Sequence, residues 1–404
     1  MTTLLSKTSQ SDKHQDSTVQ NNHHATARLS NLDAIRGFAL LGILFINIYF
    51  MGNVFYGYAP HKPQIASDII IEVLSNIFVE GRFITLFSML FGVGLYLQCQ
   101  KVSTGQLNIA TVKSRLKWLM VFGLVHGVLL FSGDILFTYG LCGFLALCYV
   151  DYPYKKLLTK AALFITIALT VIALVSLTLE SDPYYRGSAL FEQELKIWTG
   201  PYLGQLQSQA IMIAYMALVI PLTLLWYNSA LMLIGIALFK QQYFSQGFTR
   251  RQLLLMLAMA LLMSGADTLL GFSSSVVLQE LSTIFMMLGA IPMAMIYLHI
   301  IVKLGQYRQQ GLVWLQQVGR LSLSLYILQS VVGVILLRHL FPQWQLNFDR
   351  WQYLLVAMMF TVVQIAIAHF YLKHVNQGPL EAIWRKLSAK NQAILKSKPS
   401  NQTI

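Results

Sequence analysis

Residues 157–179 read LLTKAALFITIALTVIALVSLTL, a stretch of 23 residues in which Lys160 is the one charged side chain. The hydrocarbon core of a bilayer is about 30 Å thick, and an α-helix needs about 20 largely apolar residues to cross it. This stretch therefore predicts a transmembrane helix, and further stretches like it occur along the chain.

The composition of the whole chain also indicates a membrane protein. Of the 404 residues, 56% are hydrophobic and 11% are charged, whereas roughly 25% are charged in a soluble domain. So few charges could not solvate a globule of this size, and lipid must cover most of its surface. The net charge of +13 does not indicate a nucleic-acid partner, because the basic residues lie in short tracts between apolar stretches.

Hydropathy along the chain predicts an all-α, polytopic transmembrane helical bundle of about ten spans. The spans lie near residues 34–51, 83–99, 116–132, 135–150, 157–179, 213–239, 252–270, 279–302, 319–340 and 353–373. The stretch 65–80 is shorter and carries three acidic residues, so we expect an interfacial or re-entrant segment there. The stretch 210–239 contains Pro221, which predicts one tilted helix or a helix kinked at that proline.

The charges between the spans predict their orientation. Basic tracts such as residues 113–117, 155–160 and 373–398 fall in alternate segments, while most acidic residues fall in the others. An even number of spans with both termini in the cytoplasm keeps every basic loop inside, as the positive-inside rule requires. We therefore expect a multi-pass protein of the cytoplasmic (inner) membrane.

The regions outside the spans are assigned by composition. Residues 1–30 are polar and predict a disordered cytoplasmic tail without a signal peptide. The transmembrane domain is expected over 31–386, with an interfacial helix in the outer loop at about 180–210, where aromatic and charged residues are mixed. A basic cytoplasmic tail follows at 387–404. The three cysteines lie in or beside apolar stretches and match no disulfide framework or metal-ligand pattern.

An ionisable side chain inside a span is costly to insert and needs an explanation. Arg36 begins the first span, and Asp33, three residues earlier, lies on the same helical face, so the two can pair. Because successive residues of an α-helix are rotated by 100° about its axis, four side chains of this helix fall on one line, which is expected to face the interior of the bundle. The line consists of Arg36, Leu40, Ile43 and Asn47. The structural alternative is that Arg36 anchors the helix at the interface and Asn47 makes an interhelical hydrogen bond.

The third predicted span carries His126 near its middle, between Gly123 and Gly127, and Asp134 follows at its outer end. The spacing of the two glycines lets a second helix approach closely. A histidine at this depth could act as a general base near neutral pH, with Asp134 orienting its ring. The alternative is a buried histidine that a neighbouring helix satisfies.

Other polar groups in the spans suit packing better than chemistry. Arg82 precedes a small-residue packing face, Ser88 and Gly92, and Gln329 lies within the ninth span. The sequence contains no phosphate-binding loop, no dinucleotide-binding glycine pattern, no nucleophile elbow and no HExxH zinc motif. ATP-driven transport by this chain is therefore not expected.

Five parts of the sequence resemble the DUF418 (YeiB-like) family of bacterial membrane proteins. They are 28–47 (RLSNLDAIRGFALLGILFIN), 81–94 (GRFITLFSMLFGVG), Gly123–His126 with Gly133–Leu136, 318–330 (VGRLSLSLYILQS) and 378–385 (GPLEAIWR). Together they extend over residues 28–386. One departure is Ala382, where the family typically has a tryptophan.

That family is grouped with the transmembrane acyltransferases, which are similar in the Asp-x-x-Arg-Gly opening of the first span. The resemblance implies that an acyl group passes from cytoplasmic acyl-CoA, as co-substrate, to an extracytoplasmic acceptor such as a glycan. Acyltransferase-3 proteins commonly carry a catalytic histidine where this chain has Asn47. We therefore expect His126 to be the base, with His61, after the first span, as the alternative.

This hypothesis gives each candidate residue a role. Four cytoplasmic cations would bind the CoA phosphates by charge; they are Arg36, Arg115, Lys117 and Arg320. His126, oriented by Asp134, would deprotonate the acceptor, and Asn47 would donate a hydrogen bond to the developing oxyanion. Packing and structural roles are expected for Asp33, Gly37, Arg82, Gly123, Gly127 and Gln329.

Two alternatives stay open from the sequence. A secondary transporter could use the same buried polar groups, with His126 or Asp267 as the ionisable group that is alternately exposed. No internal repeat stands out, which argues against an inverted-repeat transporter. A scaffold without chemistry would leave Arg36, His126 and Asp134 in separate places, each satisfied on its own.

Overall fold

The computed structural model describes residues 31–178 and 184–396, and the regular secondary structure within these residues is entirely helical. The predicted all-α bundle is therefore confirmed. The helices are α1 (Asn31–Gly52), α2 (Ala66–Phe78), α3 (Arg82–Ser103), α4 (Ile109–Leu129), α5 (Leu136–Leu147), α6 (Tyr154–Ser176), α7 (Ala189–Trp198), α8 (Tyr202–Leu222), α9 (Leu224–Lys240), α10 (Tyr243–Gln246), α11 (Arg250–Gly271), α12 (Val276–Tyr307), α13 (Val313–Arg320), α14 (Ser322–Val334), α15 (Trp344–Asn347), α16 (Arg350–Tyr371) and α17 (Pro379–Lys396). A 3-10 turn at Gln309–Leu312 precedes α13, and a π-helical turn at Ile335–Leu340 extends α14.

Helices occupy all ten predicted spans. Within the described residues, eight helical segments are long and apolar enough to cross a membrane, and they cover eight of those spans. The other two fall on α4, whose first half carries three basic residues, and on the short apolar helix α5.

The predicted span at 213–239 is two helices rather than one. α8 ends at Leu222 and α9 begins at Leu224, on either side of Thr223 (φ −126°, ψ −70°). Pro221 explains the break, because it lacks a backbone N–H and its ring crowds the carbonyl four residues earlier. The break lets the chain pass from α8, which is largely exposed on its outer face, to α9 in the core.

α9 is the central helix of the bundle, and its residues 227–239 are all buried. It packs against α3, α5 and α6. Its contact with α3 depends on two glycines: a Cβ on Gly92 would lie 2.2 Å from the carbonyl oxygen of Met232, and one on Gly235 would lie 2.1 Å from that of Met89. The two backbones therefore touch directly, as small residues permit between membrane helices.

The predicted re-entrant stretch is the helix α2, which a turn at Gly81 (φ +73°) joins to α3. Arg82 is fully buried at the start of α3. It donates to the carbonyls of Ile77 (3.2 Å) and Glu80 and to the hydroxyl of Ser264 on α11 (2.6 Å). The guanidinium thus fastens the turn to α11, which suits the structural role predicted for Arg82.

An ionic network joins α2 to the start of α16, at the end of the bundle predicted to face outward. Asp68 is buried and accepts hydrogen bonds from the Tyr58 hydroxyl and from the backbone N–H of Arg350 (3.1 Å). Asp349 pairs with His61 at 2.9 Å. The same Asp349 oxygen also pairs with Arg186 at 3.4 Å, so His61, the alternative base, is held in this network by a carboxylate that it shares.

The loop between α6 and α8 contains the helix α7, which fits the interfacial helix predicted at about 180–210; residues 179–183 lie outside the described part of the loop. Trp198, at the end of α7, is fully buried and donates to Glu194 (2.8 Å). Burial raises the pKa of the Glu194 carboxyl, and this hydrogen bond opposes the rise. Arg338 lies 4.4 Å from the centre of the Trp198 ring, so α7 is fastened to the bundle.

The predicted tails lie partly outside the described residues. The tail at 1–30 and the last residues, 397–404, are not described. Within the described residues, α17 runs to Lys396 and crosses the boundary predicted at residue 386 between the transmembrane domain and the basic tail.

Gly92→Ala should lower the thermal unfolding midpoint of the purified protein in detergent. The added methyl group would overlap the backbone of α9, and overpacking of this kind costs about 1–3 kcal/mol. Gly94→Ala on the same helix is the matched control, since a Cβ there meets nothing within 4 Å. Equal midpoints for the two variants would contradict the close α3–α9 contact.

Candidate functional site

A cavity of about 260 Å³, here the first cavity, lies between α1, α3, α4, α5, α13, α14 and α17. It extends along α3 from Gln98 to Phe87, about 16 Å at the rise of an α-helix. The end near Gln98 is basic, and the opposite end is apolar except for Tyr139 and Tyr326. The arginines that line the basic end are Arg36, Arg115 and Arg320.

The three arginines have polar partners but keep free donors. Arg36 pairs with Asp33 at 2.7 Å, as the sequence predicts. Arg115 donates to the side-chain oxygen of Gln98 (2.7 Å), and Arg320 to a backbone carbonyl in the loop before α17 (2.9 Å). Because a guanidinium has five N–H donors, these contacts leave donors available to a bound polyanion.

Lys117 does not join the arginine cluster, although the sequence predicts that it binds the same phosphates. It follows Arg115 by two residues on α4, which turns its side chain about 200° around the helix axis. Its side chain is exposed and does not line the cavity. The predicted set of four cations is therefore corrected to three.

α17 closes the basic end of the cavity. The Glu381 carboxylate accepts hydrogen bonds from the backbone N–H groups of Leu323 (2.8 Å) and Ser324 (3.1 Å), and from the Ser324 hydroxyl. It thereby caps the N-terminus of α14, where a negative charge is favourable. Trp384 donates to the backbone carbonyl of Arg115 (2.9 Å). Both Glu381 and Trp384 line the cavity, so α17 is fastened across its entrance at two points.

His126 and Asp134 form a buried pair near the opposite end. His126 Nδ1 lies 2.8 Å from Asp134 Oδ1, and the two side chains are 2% and 1% exposed. The other carboxylate oxygen accepts the backbone N–H of Phe137 (2.8 Å). A carboxylate only accepts hydrogen bonds, so Nδ1 carries the proton and Nε2 is the basic nitrogen. Nε2 is buried without a hydrogen-bond partner among the described residues.

The position of this pair depends on two glycines of α4. A Cβ on Gly123 would lie 2.2 Å from a backbone nitrogen of α5 and 2.4 Å from Asp134 Oδ2, and one on Gly127 would lie 2.6 Å from a side chain of α8. The glycines thus let α5 and α8 approach α4, as their spacing predicts. His126 itself lies three residues before the end of α4, rather than near the middle of a span, because α4 both begins and ends earlier than predicted.

A second cavity of about 360 Å³ adjoins the first across α5, between α3, α4, α8, α9 and α12. Ile135 and Tyr139 line both cavities. Asp134 lines the second cavity, whereas Tyr326, whose ring centre lies 5.3 Å from that of His126, lines the first. His126 lines neither of them. The histidine–aspartate pair therefore lies in the partition between the two cavities.

Four residues on one face of α1 were predicted to face the interior of the bundle, and three of them line a cavity. Arg36, Leu40 and Ile43 line the first cavity. Asn47 lies one helical turn beyond Ile43, is half-buried and lines neither cavity. The structure therefore does not support the predicted role of Asn47 toward an oxyanion.

Gly37 and Gln329 make packing contacts, in keeping with the roles predicted for them. A Cβ on Gly37 would lie 2.0 Å from the carbonyl oxygen of Leu315 on α13. Gln329 is fully buried and donates to the carbonyl of Leu40 (3.3 Å) and to the side-chain oxygen of Gln364 on α16 (3.0 Å). These contacts hold α1, α13, α14 and α16 together on one side of the first cavity.

Sequence reasoning missed the two tyrosines and Trp384 as lining residues. A buried phenol or indole usually needs a hydrogen-bond partner, so aromatic residues with polar atoms inside apolar spans are the available signal. Tyr139 meets that need through the Ser88 hydroxyl (2.8 Å) and the carbonyl of Ile84 (3.1 Å). Such a signal marks a side chain as buried but does not identify the cavity that it lines.

These features define a class: a polytopic α-helical membrane protein with an internal cavity that is basic at one end and adjoins a histidine–aspartate pair at the other.

Residues 238–391 match the model of the family described as "Protein of unknown function (DUF418)". Two relatives extend the match to most of the chain. The "Uncharacterized protein YeiB" of Escherichia coli (strain K12) is 26% identical over 381 residues, which cover 88% of this chain and 95% of the relative. The "Uncharacterized protein YxaH" of Bacillus subtilis (strain 168) is 26% identical over 397 residues, which cover 89% and 93%. The family model thus matches the C-terminal part of the chain, and the two relatives are similar to most of it, which supports the predicted resemblance to the DUF418 (YeiB-like) family.

Glu381→Ala should loosen α17 and speed its cleavage by trypsin in the folded protein. The substitution removes charge-assisted hydrogen bonds, each of which contributes about 1.5–3 kcal/mol to stability. The fraction of molecules in which α17 is detached should therefore rise roughly tenfold or more. Ile383→Ala, on the exposed face of the same helix, is the control and should cleave at the rate of the unmodified protein. An unchanged rate of cleavage in Glu381→Ala would contradict the inference that this carboxylate holds α17 against the bundle.

Proposed function

We propose that the protein is a membrane-bound acyltransferase, which moves an acyl group from acyl-CoA at the basic end of the first cavity to an acceptor at the opposite face of the membrane. The observation that carries the proposal is the continuity of this cavity, from three arginines to the Tyr326 ring that packs against His126. An anionic carrier and a general base are thereby connected through the interior of a lipid-covered bundle.

The donor fits the first cavity by charge and by shape. Arg36, Arg115 and Arg320 would bind the CoA phosphates through charge-assisted hydrogen bonds, for which the planar guanidinium is well suited. The thioester arm would extend along the apolar wall of α3 toward Tyr139. The positive-inside rule puts this end of the bundle in the cytoplasm, where acyl-CoA is available.

The pair His126–Asp134 would supply the base. The acceptor hydroxyl or amine gives its proton to His126 Nε2 as its oxygen or nitrogen bonds to the acyl carbon. The carbon–sulfur bond then breaks, and the departing CoA thiolate takes the proton from His126, which leaves an ester or amide and free CoA. Asp134 holds the ring in the required tautomer and stabilises its positive charge. The Tyr326 ring has to turn aside for the donor to reach Nε2.

The same geometry argues against the two alternatives. A scaffold predicts separate and independently satisfied polar groups. Here His126 is paired with Asp134, and its Nε2 has no partner among the described residues. Arg36 lines the cavity that leads toward His126. For a transporter, Asp267 was the second candidate, but it lines neither cavity.

His126→Gln should abolish acyl transfer from acetyl-CoA or a longer acyl-CoA by the purified protein. Removal of a general base slows a reaction by roughly 10²–10⁴-fold, while the binding of acyl-CoA, measured by calorimetry, should stay close to that of the unmodified protein. His61→Ala is the control, because His61 belongs to the outer ionic network. Normal turnover by His126→Gln removes His126 from the mechanism, and loss of turnover in His61→Ala alone would make His61 the base.

Arg115→Ala and Lys117→Ala form a matched pair for the donor site. Loss of the cavity arginine should weaken acyl-CoA binding by roughly tenfold or more, the value of one charge-assisted hydrogen bond. Loss of the exposed lysine two residues away should change it by no more than about twofold. Equal effects of the two substitutions on the Kd would mean that the phosphates bind elsewhere.

A further inference from the structure

The second cavity is lined by apolar and unusually flexible side chains. Four methionines contribute to its wall, from α8 and α12; they are Met212, Met216, Met286 and Met287. Methionine is unbranched and polarisable, so it adapts to ligands of irregular or variable shape. Ile213, Ile220 and Leu224 extend the apolar wall. Such a lining suits a flexible hydrocarbon chain rather than a polar solute.

The same cavity has polar groups at one end. Ser132 and Asp134, in the loop between α4 and α5, both line it. The Ser132 hydroxyl is buried and has no hydrogen-bond partner among the described residues. This loop lies at the end of the bundle predicted to face outward, and the apolar lining extends inward from it along α8, about 12 Å from Met212 to Ile220. The cavity is therefore largely apolar, with an unpartnered hydroxyl and a carboxylate at the end that is predicted to face outward. Thr85, Thr138, Asn228 and Thr283 add single polar groups along its wall.

Lipid surrounds the wall that α8 forms. Its outward-facing residues are apolar and highly exposed, among them Ile211 (66%) and Leu218 (72%). A helix of this kind is stable only in hydrocarbon, so the ligand available to a neighbouring apolar cavity is a lipid chain. An apolar cavity of 150 Å³ binds benzene, and this one, at about 360 Å³, has more than twice that space.

We propose that the second cavity binds the hydrocarbon chain of a membrane lipid, with the lipid's polar headgroup at Ser132 and Asp134. The headgroup would then lie beside His126 on the side opposite the acyl donor. The part of the proposal that concerns binding of the hydrocarbon chain depends only on the lining of the second cavity. That this lipid, or a sugar carried by it, provides the hydroxyl or amine that receives the acyl group rests on the proposed function.

Photo-crosslinking with two probes tests this assignment on the full-length protein in phospholipid nanodiscs. One probe is phosphatidylcholine with a diazirine in an acyl chain, and the other is an acyl-CoA with a diazirine at the end of its acyl chain. After irradiation, peptide mapping by mass spectrometry locates the adducts. Thr283→Trp would fill the second cavity from α12, and Leu278→Trp, exposed on the same helix, is its matched control.

The phospholipid probe should label Met212, Met216, Met286 and Met287. Thr283→Trp should reduce these adducts at least tenfold, whereas Leu278→Trp should retain them. The acyl-CoA probe should label the first cavity near Phe91 equally in all three proteins, which also shows that the variants are folded. Phospholipid adducts confined to exposed helix faces, or acyl-CoA adducts on those methionines, would overturn the assignment. Failure of acyl-CoA to label the first cavity, with the lipid adducts intact, would refute the proposed function alone.

Discussion

The hydrocarbon of a bilayer offers no hydrogen-bond partner, so a polar group inside this bundle is costly unless it finds one within the protein. The interaction that depends on this constraint most directly is the pair of His126 and Asp134, which is almost inaccessible to solvent. Asp134 uses both carboxylate oxygens, one for the histidine ring and one for the first turn of α5. One acidic side chain therefore orients the imidazole of His126 and fixes the start of the helix that separates the two cavities.

Close approach of helices is what makes these short contacts possible. Without a hydrophobic driving force between helices in lipid, small residues that let backbones touch supply much of the packing. Gly123 allows α5 to reach α4 beside Asp134, and Gly92 with Gly235 brings α3 onto the central helix α9. Gly37 and Gly319 do the same for α1 and α13. The α1–α13 contact borders the first cavity through Gly319, and the α4–α5 contact borders the second through Asp134 and Phe137. The packing that stabilises this part of the bundle therefore also shapes its interior.

The sequence was informative where the physical signal is local. Hydropathy predicted where the apolar helices lie, and the three-residue spacing predicted the Arg36–Asp33 pair, because both depend only on helix geometry and neighbouring residues. The pairing of His126 with Asp134 was also within reach, since only a short turn separates them. Asn47 and Lys117 were predicted to belong to the site but line neither cavity, because membership of a cavity depends on where the cavity ends and on how a helix is rotated. Neither is encoded in a stretch of a few residues.

The role of α17 could not be predicted for the same reason. Glu381 and Trp384 follow the last predicted span by several residues, and the sequence predicts no contact for them. Only the fold brings them to the start of α14 and to Arg115. The resemblance to the family ending marked the residues without indicating what they contact.

Of the two tyrosine side chains in the partition between the cavities, one is held rigidly and the other less firmly. Tyr139 is fixed by hydrogen bonds to Ser88 and to the carbonyl of Ile84, and it lies on α5 against the core. Tyr326 has a single hydrogen bond within the described residues, which it accepts from the backbone of Ile135 at 3.3 Å. If two substrates meet across this partition, the passage opens more easily at Tyr326 than at Tyr139. That point is also where the histidine ring lies, so the movement that joins the two cavities exposes the base in the same step.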